Sequence, residues 1–474
     1  MAKPKGKVRV SFPGNASHEV TGSMTLVETD GMKILIEAGL VQGGSTLQDW
    51  RTNSRHFPFR PNTIDYIFIG HGHADHMLLI PKLYKEHCTA KIIAPRGTKA
   101  LFDIMAHDSA YIISKDAQQL QQAFGKYFDP FYTADDVDTA MEYFEEYDFD
   151  EMVELPGGLR FKFIPSGHII NAAQIMLWVP AQQHYVKIGY TSDLGSTLFR
   201  RYINHFEPID NCALLIGECT YARETRPVTP RDRRNDMLKI KSIIETTCVE
   251  NHSRVLIPVF SLDRAQNIAS FIYDLFNEDE SFDIPVLVDS PLTVKLFRYM
   301  LEHANPEDAA YLEKVMAWKN LVLIEESEQS RQWMESSKPC VILSSAGMLT
   351  AGRSRRWAAS LLPQANAHIL FCGFATESSL AGQIRHGSDR KYISIEGKLR
   401  RNRCSITELR SFSGHMGRND LINYYADVDT PRIALVHGDA NTKIQFAADL
   451  EAEMQKRNRT GRAICVNKGT QILL

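Results

Sequence analysis

The run His71-Gly72-His73-Ala74-Asp75-His76 places three histidines and one aspartate within six residues. With the preceding Gly70, it directly follows the apolar stretch 65–69, which has the composition of a short buried strand. His71 and His73 are two residues apart, so they project the same way just past the strand end. Asp75 and His76 follow where the chain turns into a helix predicted over 78–87. One segment can therefore supply ligands to two metal ions.

Imidazole and carboxylate groups are natural ligands of zinc in hydrolytic sites. Three later segments end predicted strands on the same residue types, namely 164–168 at His168, 189–193 at Asp193 and 433–438 at His437. Each of these residues alone is explained as well by a hydrogen-bonded core histidine or a turn aspartate. Together with the first cluster they indicate a single metal site on a rigid scaffold.

Chain length and cysteine usage limit the class of protein. A chain of 474 residues exceeds what one core usually holds, so we expect two domains. No stretch approaches the roughly 18 apolar residues of a membrane span, and the basic N-terminus 1–7 lacks an apolar signal core. The eight cysteines are scattered without a Cys-x-x-Cys pair, which favours a reducing cytoplasm over a disulfide framework.

Charge is unevenly distributed although the net charge is only −3. Residues 134–154 are strongly acidic. Basic residues cluster at four places: Arg231/Arg233/Arg234, Arg353/Arg355/Arg356, Lys398/Arg400/Arg401/Arg403 and Lys456/Arg457/Arg459. Such clusters either steer a phosphate backbone or form ordinary solvated surface.

The pattern of elements predicts a β-rich domain that is interrupted by an α/β domain. Asp30-Gly31 separates the apolar runs 24–29 and 32–37, which indicates a hairpin. We expect residues 78–150 to be mostly helical. Strands are predicted again at 159–164, 174–179 and 185–191.

From about residue 222 strands and helices alternate, as in a parallel α/β sheet. Ser261 is predicted to cap one helix, and Ser290-Pro291 to open the next. The predicted strands are 254–259, 284–289, 321–324, 340–344 and 368–372. Helices near 419–426 and 441–456 follow, so both chain ends are expected to build the metal domain.

Several motifs make the chain similar to one known family. They are Gly14 with Glu19-Val20-Thr21-Gly22-Ser23, Tyr190–Gly195, Glu218–Tyr221, Ser344–Leu349, Ser411–His415 and Leu435–Gly438. In order and spacing they resemble the β-CASP nucleases of the metallo-β-lactamase superfamily, which include the pre-mRNA 3′-end processing endonuclease. The resemblance spans nearly the whole chain. It implies an α/β fold, a metallo-β-lactamase αββα sandwich formed by 1–221 and 399–474, with an inserted β-CASP domain at 222–398.

The resemblance also implies a role for each site residue. His71, His73 and His168 would bind one zinc ion. Asp75, His76 and His437 would bind a second, and Asp193 would bridge the two Zn²⁺ ions. Asp75, Glu218 and His415 would be catalytic, with Glu218 orienting His415 as an acid at the mouth between the domains. Ser411 and Ser413 would contact substrate phosphate, with loop-structural serines as the alternative.

The chain departs from the family pattern near these ligands. Glu37 stands where an Asp is usual, at a position that orients a metal ligand without touching the metal. Gly70 replaces a usual Ser or Thr, and Met77-Leu78 replaces smaller residues. The stretch 169–173 also differs from the usual glycine-containing form. None of these changes removes a ligand.

The leading functional hypothesis is a zinc-dependent ribonuclease that leaves 5′-phosphate and 3′-hydroxyl ends. We expect single-stranded RNA to be the partner. No association with a membrane is expected, and the protein could form a homodimer. A DNA-processing nuclease of the same superfamily is an alternative, although such members typically lack a histidine at the position of His437. A small-molecule metallo-hydrolase and a catalytically silent RNA-binding subunit are further alternatives.

Overall fold

The computed structural model describes residues 7–182, 184–195, 201–223, 229–373, 375, 379–385, 392–395 and 397–474. The basic N-terminal residues 1–6 lie outside this part. The chain divides into two compact units. The first comprises Met1–Thr197, Ile203–Arg226 and His415–Leu474, and the second comprises Leu198–Tyr202 and Pro227–Gly414. The domain boundaries at 221/222 and 398/399 stay predictions.

The strands follow the chain in three groups. Those before residue 220 are β1 (Arg9–Ser11), β2 (Thr25–Glu28), β3 (Lys33–Ile36), β4 (Tyr66–Phe68), β5 (Lys91–Pro95), β6 (Phe144–Tyr147), β7 (Val153–Leu155), β8 (Leu159–Pro165), β9 (Ala173–Ala181), β10 (His184–Tyr190) and β11 (Leu214–Glu218). Those between 254 and 408 are β12 (Arg254–Pro258), β13 (Val286–Asp289), β14 (Leu321–Ile324), β15 (Cys340–Ser344), β16 (His368–Phe371), β17 (Tyr392–Ile395), β18 (Lys398–Arg401) and β19 (Ser405–Glu408). The last are β20 (Arg432–Val436), β21 (Arg462–Cys465) and β22 (Gln471–Leu473).

The helices lie between these strands. The first unit contains α1 (Thr46–Asn53), α2 (Ala74–Met77), α3 (Ile80–Lys85), α4 (Thr98–Phe124) and α5 (Ala134–Met141). The second contains α6 (Pro230–Ile244), α7 (Arg264–Phe276), α8 (Pro291–His303), α9 (Pro306–Met316), α10 (Ser327–Glu335), α11 (Gly352–Leu361) and α12 (Leu380–Arg385). The first unit closes with α13 (Arg418–Asp427) and α14 (Ala440–Lys456). Among the residues described, no helix combines the length and apolar composition that a membrane crossing requires.

Two mixed sheets form the first unit. One has the order β22-β1-β2-β3-β4-β5-β6 and the other β21-β20-β11-β10-β9-β8-β7. The last strand of the chain, β22, pairs with the first, β1, and β20 adds to β11. Both chain ends therefore build this unit, as the sequence predicted.

The main core of the first unit lies between its two sheets. Phe68 of one sheet meets Phe161 of the other edge to face, with ring centroids 5.2 Å apart. On the outer side of the first sheet, Phe102 of α4 packs on Phe144 of β6. Helices α13 and α14 cover the second sheet. Helices on both outer faces give the αββα arrangement.

A parallel sheet forms the core of the second unit, with the order β14-β13-β15-β12-β16-β19. Strands predicted at 321–324 and 340–344 match β14 and β15 to the residue. Ser290 caps α8 by accepting a hydrogen bond from the Thr293 backbone N–H, as predicted. The α/β interpretation of this segment is confirmed.

One local expectation was incomplete and another was wrong. The segment 78–150 is mostly helical, as predicted, but it also contains β5 and β6, which extend the parallel run β3-β4-β5-β6. Segments as short as β5 and β6 become strands because they pair with neighbouring strands, and the periodicity of the sequence does not indicate such pairing. Ser261 does not cap α7, whose N-cap is Asp263 in a left-handed conformation.

Candidate metal centre

Four strands of the first unit end at the candidate site. His71 and His73 follow β4, His168 follows β8, Asp193 follows β10, and His437 follows β20. These strands belong to both sheets, so the site lies on a rigid scaffold. The chain bends sharply there: the backbone angle φ is 51° at Ser192 and 57° at His437. Residues other than glycine rarely adopt this left-handed conformation, and they concentrate at functional sites.

The structure brings together His71, His73, His168 and Asp193. His73 Nδ1 lies 3.2 Å from His71 Nε2 and 3.2 Å from His168 Nε2. Asp193 Oδ2 lies 3.5 Å from His71 Nε2 and 3.6 Å from His168 Nε2. Three imidazole nitrogens thus converge with a carboxylate oxygen, a donor set suited to zinc.

A second group contains Asp75, His76 and His437. His76 Nε2 and His437 Nε2 are 3.2 Å apart, and Asp75 Oδ2 lies 3.4 Å from His437 Nε2. Asp193 reaches this group with its other oxygen: Oδ1 lies 3.4 Å from His76 Nε2. One carboxylate therefore has an oxygen in each group.

The donor atoms fit metal ions better than they fit one another. Asp193 Oδ1 is buried and has no hydrogen-bond partner among the described residues, a costly arrangement unless a cation completes it. Burial lowers the pKa of His71 and of His168 well below the ordinary value, and that of His73 to about 4. These three imidazoles are thus neutral near pH 7, the form that binds a metal.

Carboxylates dominate the electrostatics of the second group. Burial disfavours charge on His76, but the carboxylates of Glu37, Asp193 and Asp75 outweigh it and raise the pKa of His76 well above the usual value. For Asp193, burial opposes ionisation, and the surrounding histidines, led by His437 and His76, nevertheless hold its pKa well below the ordinary value. The site is therefore built around an ionised Asp193.

The predicted acid pair forms beside these groups. His415 Nδ1 lies 3.2 Å from Glu218 Oε1, and His415 Nε2 lies 3.9 Å from Asp193 Oδ2. The Glu218 carboxylate is buried and accepts hydrogen bonds from the backbone N–H groups of Leu194 and Thr220. A fixed carboxylate thus orients an imidazole whose side chain is 17% exposed.

Sequence reasoning missed three hydroxyl groups at this site. Thr220 Oγ1 lies 2.7 Å from His437 Nδ1, and Ser192 Oγ lies 2.8 Å from His71 Nδ1. Tyr190 donates a hydrogen bond to Glu37. Along the chain, Ser192 is next to Asp193, Thr220 is two residues from Glu218, and Tyr190 is three residues from Asp193. That position was the only available signal, because the contacts join distant segments.

The two serines that were predicted to contact phosphate lie outside the first unit. Ser411 and Ser413 belong to the second unit. The Ser411 hydroxyl is buried without a hydrogen-bond partner among the described residues, and its backbone N–H bonds Asp236. The contact of either serine with phosphate stays a prediction.

Four arginines of three basic clusters pair with groups of the protein itself. Arg233 is buried, and its guanidinium lies over the rings of Phe271 and Phe412. Arg353 bonds the buried Asp289. Arg457 and Arg459 pair with the carboxylates of Asp427 and Asp429. The cluster at 398–403 lies on and next to β18, where Lys398 and Arg401 are exposed.

Three family models match the chain. A metallo-β-lactamase superfamily model matches residues 19–155, and a β-CASP domain model matches 265–384. A model described as the RNA specificity domain of zinc-dependent metallo-hydrolases matches 401–460. Together they span both units, in the order that the motifs indicated. The chain belongs to the β-CASP family of the metallo-β-lactamase superfamily.

Curated β-CASP relatives align over most of their length. A ribonuclease from Thermus thermophilus is 27% identical, over 90% of this chain and 92% of the relative. An RNase J-like protein from Methanocaldococcus jannaschii is 26% identical, over 93% of this chain and 94% of the relative. A transcription termination factor from the same organism is 25% identical, over 95% of this chain and 70% of its own.

A solved structure shares the fold. It is a protein of unknown function from Enterococcus faecalis V583, with a TM-score of 0.52 at 14% identity. The match covers 99% of this chain and 100% of the solved chain. The metallo-β-lactamase and β-CASP fold expected from the sequence is confirmed by the two family models that match the chain.

Proposed function

We propose that this chain is a zinc-dependent ribonuclease, which uses two zinc ions to hydrolyse RNA phosphodiester bonds and leaves 5′-phosphate and 3′-hydroxyl ends. One observation carries the proposal: the Asp193 carboxylate has one oxygen beside each histidine group, and His415 lies 3.9 Å from the same carboxylate. The relatives named as a ribonuclease and as RNase J-like support RNA as the substrate.

Each group of ligands would hold one ion. The residues of the first are His71, His73 and His168, those of the second are Asp75, His76 and His437, and Asp193 is shared. When bound, two such ions lower the pKa of a shared water and stabilise the charge of phosphoryl displacement. The protein's part is to fix these side chains on strand ends and to keep three imidazoles neutral.

The remaining residues handle protons and orientation. The Asp75 side chain is 19% exposed, against 3% for Asp193, so its carboxylate can accept a hydrogen bond from an attacking water. His415 would donate a proton to the departing 3′ oxygen of ribose. Glu218 holds the His415 ring by Nδ1, which leaves Nε2 as the donating atom.

Two features favour RNA over the alternatives. His437 takes part in the second group, whereas DNA-directed members that the sequence resembles typically lack this histidine. The full ligand set also argues against a silent subunit. The Lys398 and Arg401 side chains on β18 are suited to a phosphate backbone, and a small-molecule substrate has no need of them. We further propose a cytoplasmic location, since all eight cysteines are free thiols.

The test compares single-stranded RNA and DNA of one sequence, each labelled at either end. We expect cleavage of RNA, its loss with a chelator, its return with zinc, and products carrying 5′-phosphate. A clear preference for DNA contradicts the choice of substrate. Products ending in a cyclic phosphate contradict hydrolysis by an activated water, because they require attack by the 2′-hydroxyl. Labels at both ends also separate endonucleolytic from 5′-exonucleolytic cleavage.

A further inference from the structure

One buried carboxylate touches both metal groups from behind. Glu37 follows β3 with a φ of 62° and is fully buried. Its Oε2 lies 2.5 Å from His76 Nδ1 and accepts a hydrogen bond from the Tyr190 hydroxyl at 2.6 Å. Its Oε1 accepts a hydrogen bond from the Ser192 hydroxyl at 2.7 Å. Glu37 therefore holds a histidine of the second group directly.

Ser192 extends this contact to the first group. Its Oγ lies 2.8 Å from His71 Nδ1 as well as 2.7 Å from Glu37 Oε1. Ser192 donates its one hydroxyl proton to Glu37 Oε1, so its oxygen can only accept from His71, and the His71 Nδ1 proton points to Ser192. Both histidines then carry their proton on Nδ1 and present Nε2 to the metal positions.

Gly70 provides the room for this network. A Cβ atom at residue 70 would lie 2.4 Å from Ser192 Oγ, 2.6 Å from Ser192 Cβ and 2.8 Å from Glu37 Oε1. Contacts under 3.0 Å force neighbours to shift, and these neighbours are fixed by the hydrogen bonds just described. Glycine is required here by space, since the longer Glu37 and the Ser192 side chain occupy the volume of a side chain at 70.

We propose that Glu37, Ser192 and Gly70 act as one positioning unit that fixes the ring orientation and tautomer of a histidine in each metal group. These are positioning residues, because they act through His71 and His76. The inference rests on the proposed metal-dependent function and deepens it. It also explains why this chain departs from the family pattern at both Glu37 and Gly70, since the two changes occupy a common space.

The test measures zinc affinity in the full chain by competition with a chelator. Ser192→Ala removes one oxygen, and Gly70→Ala inserts one methyl group into the network. We expect each to weaken zinc binding by about 10–100-fold, the usual effect of losing a partner behind a metal ligand. Gly31→Ala is the matched control, because nothing lies within 4 Å of its added Cβ, and we expect no change.

A rescue variant separates positioning from general destabilisation. In Gly70→Ser combined with Ser192→Gly, the hydroxyl moves to residue 70 within the same volume, and the φ of 51° at residue 192 suits glycine. We expect the double variant to bind zinc more tightly than Gly70→Ser alone and within about threefold of the parent, well inside the loss for either single change. The visible spectrum of bound cobalt should follow the same order, with the metal-free thermal midpoint monitored for folding.

The outcomes are distinct. If Ser192→Ala and Gly70→Ala bind zinc as tightly as the parent, the inference is wrong although the proposed function stands. A double variant no better than Gly70→Ser also overturns it. If Gly70→Ala does not fold, Ser192→Ala decides alone. A parent chain that takes up no zinc overturns both the proposed function and the inference.

Discussion

Replacing His415 by alanine tests the acid half of the proposed chemistry. His415 Nδ1 lies 3.2 Å from Glu218 Oε1, so the ring is held by one nitrogen while Nε2 faces Asp193. Glu218 is itself held by two backbone N–H groups, at 2.9 Å and 3.0 Å. The alanine variant therefore removes a proton donor and leaves the proposed metal ligands in place.

The expected loss follows from the role of a positioned general acid. Such a group contributes about 10²–10⁴-fold to a rate. At about 1.36 kcal/mol for each factor of ten, this corresponds to roughly 2.7–5.4 kcal/mol of transition-state stabilisation. The zinc content of His415→Ala should equal that of the parent, because its Nε2 belongs to neither metal group.

The assay compares two RNA substrates under single-turnover conditions. One carries an ordinary scissile bond, and in the other sulfur replaces the bridging 3′ oxygen. A thiolate leaves without protonation, so His415→Ala should lose most of its defect on the sulfur substrate. His205→Ala, an exposed histidine of the same unit, is the control and should cleave both at the parent rate. An equal loss on both substrates would refute the acid role, and a loss of zinc would show that His415 is a ligand.

Three further predictions follow from the structure. Asp75→Ala should abolish RNA cleavage and lower the zinc content, because Asp75 Oδ2 lies 3.4 Å from His437 Nε2 of the second group. The circular dichroism spectrum should stay unchanged. Unchanged cleavage refutes the assignment of Asp75 as a ligand. Thr220→Val should weaken zinc binding by about tenfold, because it removes the partner of His437 Nδ1, and chelator competition measures the effect. Ser290→Ala should lower the free energy of unfolding by about 1 kcal/mol in urea titration, because it removes the cap of α8, and an unchanged value contradicts the capping role.

Regular elements were predictable where local chemistry decides them. The Asp30-Gly31 turn fixes the β2–β3 hairpin, which pairs Thr25 with Ile36. In the second unit, continuous apolar runs became parallel strands. The strand β6 was missed because its residues are only partly buried and include two glutamates, and only pairing with β5 makes it a strand.

The grouping of the candidate ligands was predictable from the sequence, but their hydrogen-bond partners were not. The histidine cluster indicated metal by its own spacing, and family resemblance supplied the rest of the set. The two groups of ligands that form in the structure contain the residues expected from that resemblance. The Glu37–Ser192–His71 contacts join three segments from different strand ends, so no pattern along the chain reports them. Gly70 was visible as a departure from the family pattern, yet its physical reason lies in contacts with the distant residues Ser192 and Glu37.

Zinc titration of the metal-depleted chain tests the central claim most directly. RNA cleavage and bound zinc are measured on the same samples, with zinc counted by mass spectrometry. We expect saturation at two zinc ions per chain, with full activity only when both are bound, and a lower zinc content in Asp193→Ala. Saturation at one zinc ion with full activity, or cleavage by the metal-free chain, would contradict it.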